Sequence, residues 1–104
     1  AEVLARKNNI ADAITELNKV LTKKAAGDAW GIGADLPAYS GASTSDAVLT
    51  EIYRQRCIEL FMTGLRLDDA RRFNRPAAER SRNFYPYPLS ERDNNSNTPA
   101  DPAN

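Results

Sequence analysis

Five charged side chains recur at intervals of three along one stretch: Arg56 and Glu59, then Arg66, Asp69 and Arg72. Residues three or four apart share a helix face, so guanidinium and carboxylate groups at this spacing are placed to pair. Arginine favours fixed bidentate pairing over loose attraction to an anion. From Arg54 to Arg82 eight arginines and no lysine stand against four carboxylates, Glu59, Asp68, Asp69 and Glu79. This composition reads first as an ion-pair network and second as an anion patch. The same carboxylates raise the question of glycoside hydrolysis, which needs two acids flanking one bond. Adjacent aspartates on a helix point about 100° apart and do not converge on one bond. The surrounding arginines would also hold their pKa values down, against the raised value a general acid needs. Catalysis is therefore not expected. Two aromatics complete the candidates: Trp30 and Tyr39 lie in a glycine-rich segment, where a flat ring either pins the loop or faces a sugar or partner. Trp30 is expected to pin, and Tyr39 is open to either role.

The composition narrows the chemistry further. Basic and acidic residues both number 14 among 104 residues, so the chain as a whole has no charge surplus for nucleic acid or an anionic membrane surface. There is no histidine and a single cysteine, Cys57. Histidine acid–base chemistry, the usual zinc sites and a disulfide framework are thereby excluded. No apolar run is long enough for a membrane span or the apolar core of a signal peptide. The length suits one small domain with a marginal core.

The charged groups must be positioned by the stretch from Asp46 to Phe73, which holds most of the large apolar side chains. On a helical wheel Val48, Leu49, Ile52, Tyr53, Cys57 and Leu60 fall in one arc, with Phe61 at its edge. Arg56 and Glu59 lie inside that arc, so both are expected to be buried, paired, and joined to Arg66, Asp69 or Arg72. Burying two charges costs several kcal/mol, about as much as their attraction returns, so such a network would serve geometry rather than stability. Gly64 allows a change of direction into a second short helix.

Ahead of this stretch, Ala1–Lys7 reads as the end of a helix that begins without a cap, as in a fragment of a longer α-rich protein. Asn8-Asn9 breaks it and caps the next helix, with Asp12 completing a capping-box-like start. Ile10, Ala13, Ile14, Leu17, Val20 and Leu21 form a helical stripe that Gly27 is expected to end. Its spacing is similar to the second helix of a tetratricopeptide unit, although no period of about 34 residues is visible. Residues 25–44 form a long loop; Gly31-Ile32-Gly33 lacks the third glycine and preceding strand of a dinucleotide fingerprint. Ser43, Thr44 and Ser45 offer caps for the central helices, 45–73. Asn74-Arg75-Pro76 ends them. Phe84-Tyr-Pro-Tyr-Pro-Leu89 opens an extended tail over 84–104, expected to strap its aromatics across a helical surface. The expectation is an all-α fold of tetratricopeptide-like helix pairs, with 1–104 a single portion of a larger domain: tetratricopeptide-like helical turn at 1–24, loop at 25–44, central helices at 45–73 and extended tail at 84–104.

Two motifs give the chain a family likeness. The run Gln55-Arg56-Cys-Ile-Glu59-Leu60-Phe-Met-Thr63-Gly64-Leu-Arg66-Leu-Asp-Asp69-Ala70-Arg-Arg72 resembles the C-terminal helical signature of the RagB/SusD-like outer-membrane lipoproteins of Bacteroidetes. Pro86-Tyr-Pro88-Leu-Ser-Glu91-Arg-Asp-Asn-Asn95 resembles their closing motif. Gln55 and Thr63 replace acidic residues, Ala70 replaces a leucine, and Ser96 stands where proline is frequent. The resemblance implies a surface nutrient-binding protein that captures oligosaccharides and passes them to a SusC-like, TonB-dependent transporter, with no cofactor and no catalysis. It also implies an outer-membrane location through an N-terminal lipid anchor outside this stretch. Trp30 and Tyr39 are then the candidate sugar-stacking residues. With only two aromatics on a loop that must be ordered, this stretch alone is expected to bind weakly or not at all. The rival expectation is a helical protein-interaction module with no ligand of its own.

Overall fold

The computed structural model describes residues 1–80 and 86–100. Among them the secondary structure is all helical, in the order α1 (Glu2–Arg6), α2 (Ile10–Leu21), α3 (Ser45–Glu59), α4 (Arg66–Arg72) and α5 (Leu89–Asn94). Two short 3-10 turns, Ala25–Gly27 and Ala77–Glu79, complete the order. The chain forms two compact units, Ala1–Phe61 and Met62–Asn104.

The first unit is a three-helix cluster. Helix α1 packs on α2 and α3, and α2 packs on α3. The asparagine pair works differently from the expected cap. Asn8 takes a left-handed conformation with φ 61°. The Asn8 and Asn9 amides then donate to the Ala5 and Leu4 carbonyls at 3.0 and 2.9 Å. These two bonds close a Schellman motif, which satisfies the last carbonyls of α1 and turns the chain into α2. The Asn9 side chain does not cap α2; its amide instead donates to Asp12 at 2.7 Å. The core behind this corner consists of Ala5, Ala13, Leu17, Leu21, Val48, Ile52 and Tyr53. Ala5 and Ala13 are wholly buried; lacking bulk, they let the helices approach closely.

Helix α2 ends at Leu21, earlier than the expected stop at Gly27. Thr22 and the returning loop take up its open carbonyls: the Thr22 hydroxyl donates to Asn18 O at 2.8 Å. The Leu36 and Asp35 amides reach the Leu21 and Lys23 carbonyls at 2.8 and 2.9 Å. Helix α3 starts as the serine–threonine run indicated, with the Thr44 hydroxyl accepting from the Ala47 amide at 3.3 Å. The Ser45 hydroxyl ties that start to Ala5 O of α1 at 2.9 Å.

In the second unit, α4 carries Asp68 and Asp69 in its first turn and Arg71 and Arg72 in its last, the arrangement the helix dipole favours. Asn74, with φ 49°, repeats the asparagine corner: the Asn74 and Arg75 amides donate to the Arg71 and Ala70 carbonyls at 2.9 and 2.8 Å. Pro76 then prevents the helix from resuming. The expected extended tail is corrected in part, because Leu89–Asn94 is helical. Pro88, extended itself, supplies the turn into α5. Phe84 and Tyr85 of the expected strap lie outside the described residues. Tyr87 and Leu89 are exposed, at 43% and 66%, so these two do not bury their side chains as a strap would.

Candidate functional site

The loop between α2 and α3 is tied down along its length. Asp28 organises its first half. One carboxylate oxygen accepts from Lys23 Nζ at 2.5 Å; the other accepts from the Trp30 and Ile32 amides at 2.9 and 3.2 Å. This Asx-type arrangement wraps the backbone around one side chain, with Gly31 in the left-handed region at φ 68°. The second half is fixed by the Tyr39 amide, which donates to Asn18 Oδ1 of α2 at 2.8 Å.

The two aromatics are placed differently. Trp30 was expected to pin the loop, yet it is 86% exposed. Tyr39 does the pinning: its hydroxyl donates to Ala42 O at 2.9 Å. Its ring lies where a Cβ on Gly41 would stand, 2.5 Å from the hydroxyl oxygen. The physical reason is that Asp28 uses the Trp30 backbone amide and leaves the indole facing outward, whereas the segment around Tyr39 doubles back on itself.

Asp69 is buried and accepts from Arg72 at 2.5 Å, so this pair forms as its spacing indicated. Arg72 also lies 4.9 Å from the Phe73 ring centroid. The field of Arg66 falls on Glu79. Sequence reasoning missed the strongest geometry of the second unit, the bidentate Arg75–Glu79 pair at 2.8 and 2.6 Å. Its i, i+4 spacing was the available signal. The hydrogen bond from Arg75 is the main cause that holds the Glu79 carboxyl below its ordinary value, with smaller help from the charges of Arg75 and Arg66. In the closing motif Glu91 and Asn95 meet each other, the Asn95 amide donating at 3.3 Å.

The expectation that Arg56 and Glu59 are both buried is corrected. Arg56 is half-buried and Glu59 is exposed. The wheel gave the direction of the face rightly, but at the last turn of α3 no neighbour in the first unit covers it. The buried polar group is one turn earlier: Gln55 is 4% exposed and its amide donates to Glu51 at 2.7 Å.

Two grooves open beside this turn. The larger, about 480 Å³, runs between Val20 and Lys23 of α2, Ile32 and Leu36 of the loop, and Gln55 and Ile58 of α3. The smaller, about 270 Å³, lies over Leu17, Ile52 and Leu60 with Glu2, Glu16 and Arg56 at its edge. Val20, Gln55 and Glu59 line both. Among the described residues no group of three or more histidine, cysteine or carboxylate side chains is placed to hold a metal ion, and no helix is long and apolar enough to cross a membrane.

The pH behaviour follows from the two tied carboxylates. The hydrogen bond from Lys23, then those from the Trp30 and Ile32 amides, hold Asp28 below its ordinary 3.8. Glu79 is likewise below its ordinary 4.5. Both bind protons less readily folded than unfolded, so their stabilisation is present above those ordinary values and is lost as pH falls through the lowered ones. The melting temperature of the chain is expected to drop as pH falls below about 4.5, and Asp28→Asn to flatten that drop. Parallel melting curves for both proteins across this range check it; identical slopes would contradict the role given to Asp28.

These features define an all-α protein with a tethered, tryptophan-bearing loop and an apolar groove in its first unit. Comparison of the chain with protein-family models, curated proteins and solved structures found no match.

Proposed function

We propose that this chain is the C-terminal part of a SusD-like surface lipoprotein that captures an oligosaccharide and hands it to a TonB-dependent transporter without cleaving it. The observation that supports the capture step is Trp30, an indole 86% exposed on a loop whose backbone is already held by Asp28 and by the end of α2. A flat apolar face stacks on the apolar face of a sugar ring, and a loop backbone held before binding has less conformational freedom to lose on contact. The tether revises the expectation of weak or absent binding, which assumed a loop still to be ordered. Tyr39, whose amide and hydroxyl are already engaged, holds the second half of the loop. The corner between α1 and α2 is then the tetratricopeptide-like scaffold of the binding loop.

Calorimetry of the 104-residue chain against a panel of oligosaccharides tests the reading, with chromatography of the recovered sugars. The expected result is binding to at least one sugar, weakened about tenfold or more in Trp30→Ala, as for removal of a central tryptophan contact, with the sugars recovered intact. Binding unaffected by Trp30→Ala, or none, would remove the reading, and shortened sugars would point to a hydrolase. A second reading, a helical interaction module, is favoured by one observation: Val20, Ile32, Leu36 and Ile58 are aliphatic, line one groove and remain 39%, 68%, 42% and 53% exposed.

A further inference from the structure

The division between the two units falls at the peptide bond from Phe61 to Met62, within residues 60–65 that join α3 to α4. Both flanking side chains stand out into solvent, Phe61 77% and Met62 89% exposed. The backbone is weakly held at this bond. The Phe61 amide reaches the Ile58 carbonyl at 3.3 Å, longer than an ordinary N–H···O bond, and the Met62 amide donates to no acceptor among the described residues. Met62 also lies in the left-handed region at φ 62°, where its Cβ crowds the following carbonyl oxygen. The other widely exposed aromatic ring, Trp30, sits on a backbone of the opposite kind. The amides of Trp30, Gly31 and Ile32 all donate to Asp28, and those of Asp35 and Leu36 donate to the end of α2.

We propose that the Phe61–Met62 bond is a proteolytic processing site for an endoprotease with an apolar, aromatic-accepting S1 pocket. Such an enzyme holds its substrate as an extended strand and takes the side chain before the cut bond into its pocket. Phe61 offers that ring without leaving a core. Drawing residues 60–65 out straight gives up little hydrogen bonding at the bond itself and releases Met62 from its strained conformation, so the open form that a protease requires lies close in free energy to the native one. Opening the Trp30 loop instead breaks each of the bonds that hold it. Water adds across the amide, leaving a carboxylate on Phe61 and an amine on Met62, and no other co-reactant is needed. Every helix of both units stays whole after the cut. No residue of the Trp30 loop takes part, so the inference stands independently of the oligosaccharide reading.

Chymotrypsin, whose S1 pocket is an apolar slot, serves as the probe on the full chain under native conditions, with mass spectrometry of the first fragments. The expected first products are 1–61 and 62–104, with cuts inside 25–44 about tenfold slower or more, in proportion to the rarer opening of that loop. Phe61→Ser should remove the first cut and leave the melting temperature in place, because the ring it deletes is exposed. Two substitutions at Met62 probe the strain: asparagine tolerates the left-handed conformation and a β-branched valine does not. Each protein's cleavage rate is divided by that of an unstructured peptide of the same local sequence, which cancels the protease's own preference. On that ratio Met62→Asn should be cut several-fold more slowly than the parent and Met62→Val several-fold faster. A first cut within 25–44, or equal ratios for Met62→Asn and Met62→Val, would overturn the proposal.

Discussion

Gly33→Ala is expected to destabilise the first unit by about 2 kcal/mol or more, the combined scale of an overpacked site and lost backbone hydrogen bonds. A Cβ at this position would stand 2.4 Å from the Lys23 carbonyl oxygen, 2.6 Å from the Lys24 carbonyl carbon and 2.7 Å from the Ala25 amide nitrogen. All three are backbone atoms, so no side chain can rotate away to make room. The loop would have to swing off the end of α2. That movement breaks the bonds from the Asp35 and Leu36 amides to the Lys23 and Leu21 carbonyls, and it displaces the segment that displays Trp30. A drop in melting temperature of roughly 8 °C or more is the corresponding thermal signature for a domain of this size. Gly27→Ala is the matched control: a Cβ there meets nothing within 4 Å. Gly33→Ala and Gly27→Ala melting together would show that the close approach is not a constraint. A Gly33→Ala protein that melts low yet binds sugar as tightly as its parent would separate the loop's position from the Trp30 platform.

Leu17→Ala should produce the other large loss, about 2 to 5 kcal/mol, the range for truncating a buried leucine. Leu17 is 3% exposed and stands with Ala13 and Leu21 on the buried face of α2, against a core whose largest wholly buried side chain is Val48. A unit the size of Ala1–Phe61 has a total stability of only about 3 to 9 kcal/mol, so this substitution removes a large share of it. Two members of the same core, Ala5 and Ala13, are already alanines and have no bulk with which to fill the space. Urea unfolding gives the number directly, and a loss below about 1 kcal/mol would show that α2 is not the centre of the core. Val20→Ala on the same helix, at a position 39% exposed, should cost far less. Comparison of the two variants separates the buried face of α2 from its open one.

Short-range physics made much of this protein legible from its sequence. The stripe of α2, the Thr44 cap, the breaks at Asn8-Asn9 and Asn74, and the Asp69–Arg72 pair each depend on residues a few positions apart. Spacing and side-chain chemistry are sufficient there, and the all-α class follows from the same periodicities. Arg75–Glu79 was legible in the same way, through its i, i+4 spacing. The remaining features needed the tertiary structure, because they depend on which segment covers which. A helical wheel places Glu59 on the packing face of α3, but only the end of α2 and the position of the loop decide that this turn stays open while Gln55 is enclosed. Composition marks residues 25–44 as a glycine-rich loop; the carbonyls of α2 convert it into a tethered one by accepting its amides. The anchoring of Tyr39 depends on Asn18, whose reach across the loop no local pattern encodes, whereas the turn that Asp28 makes around the Trp30 amide is a local one.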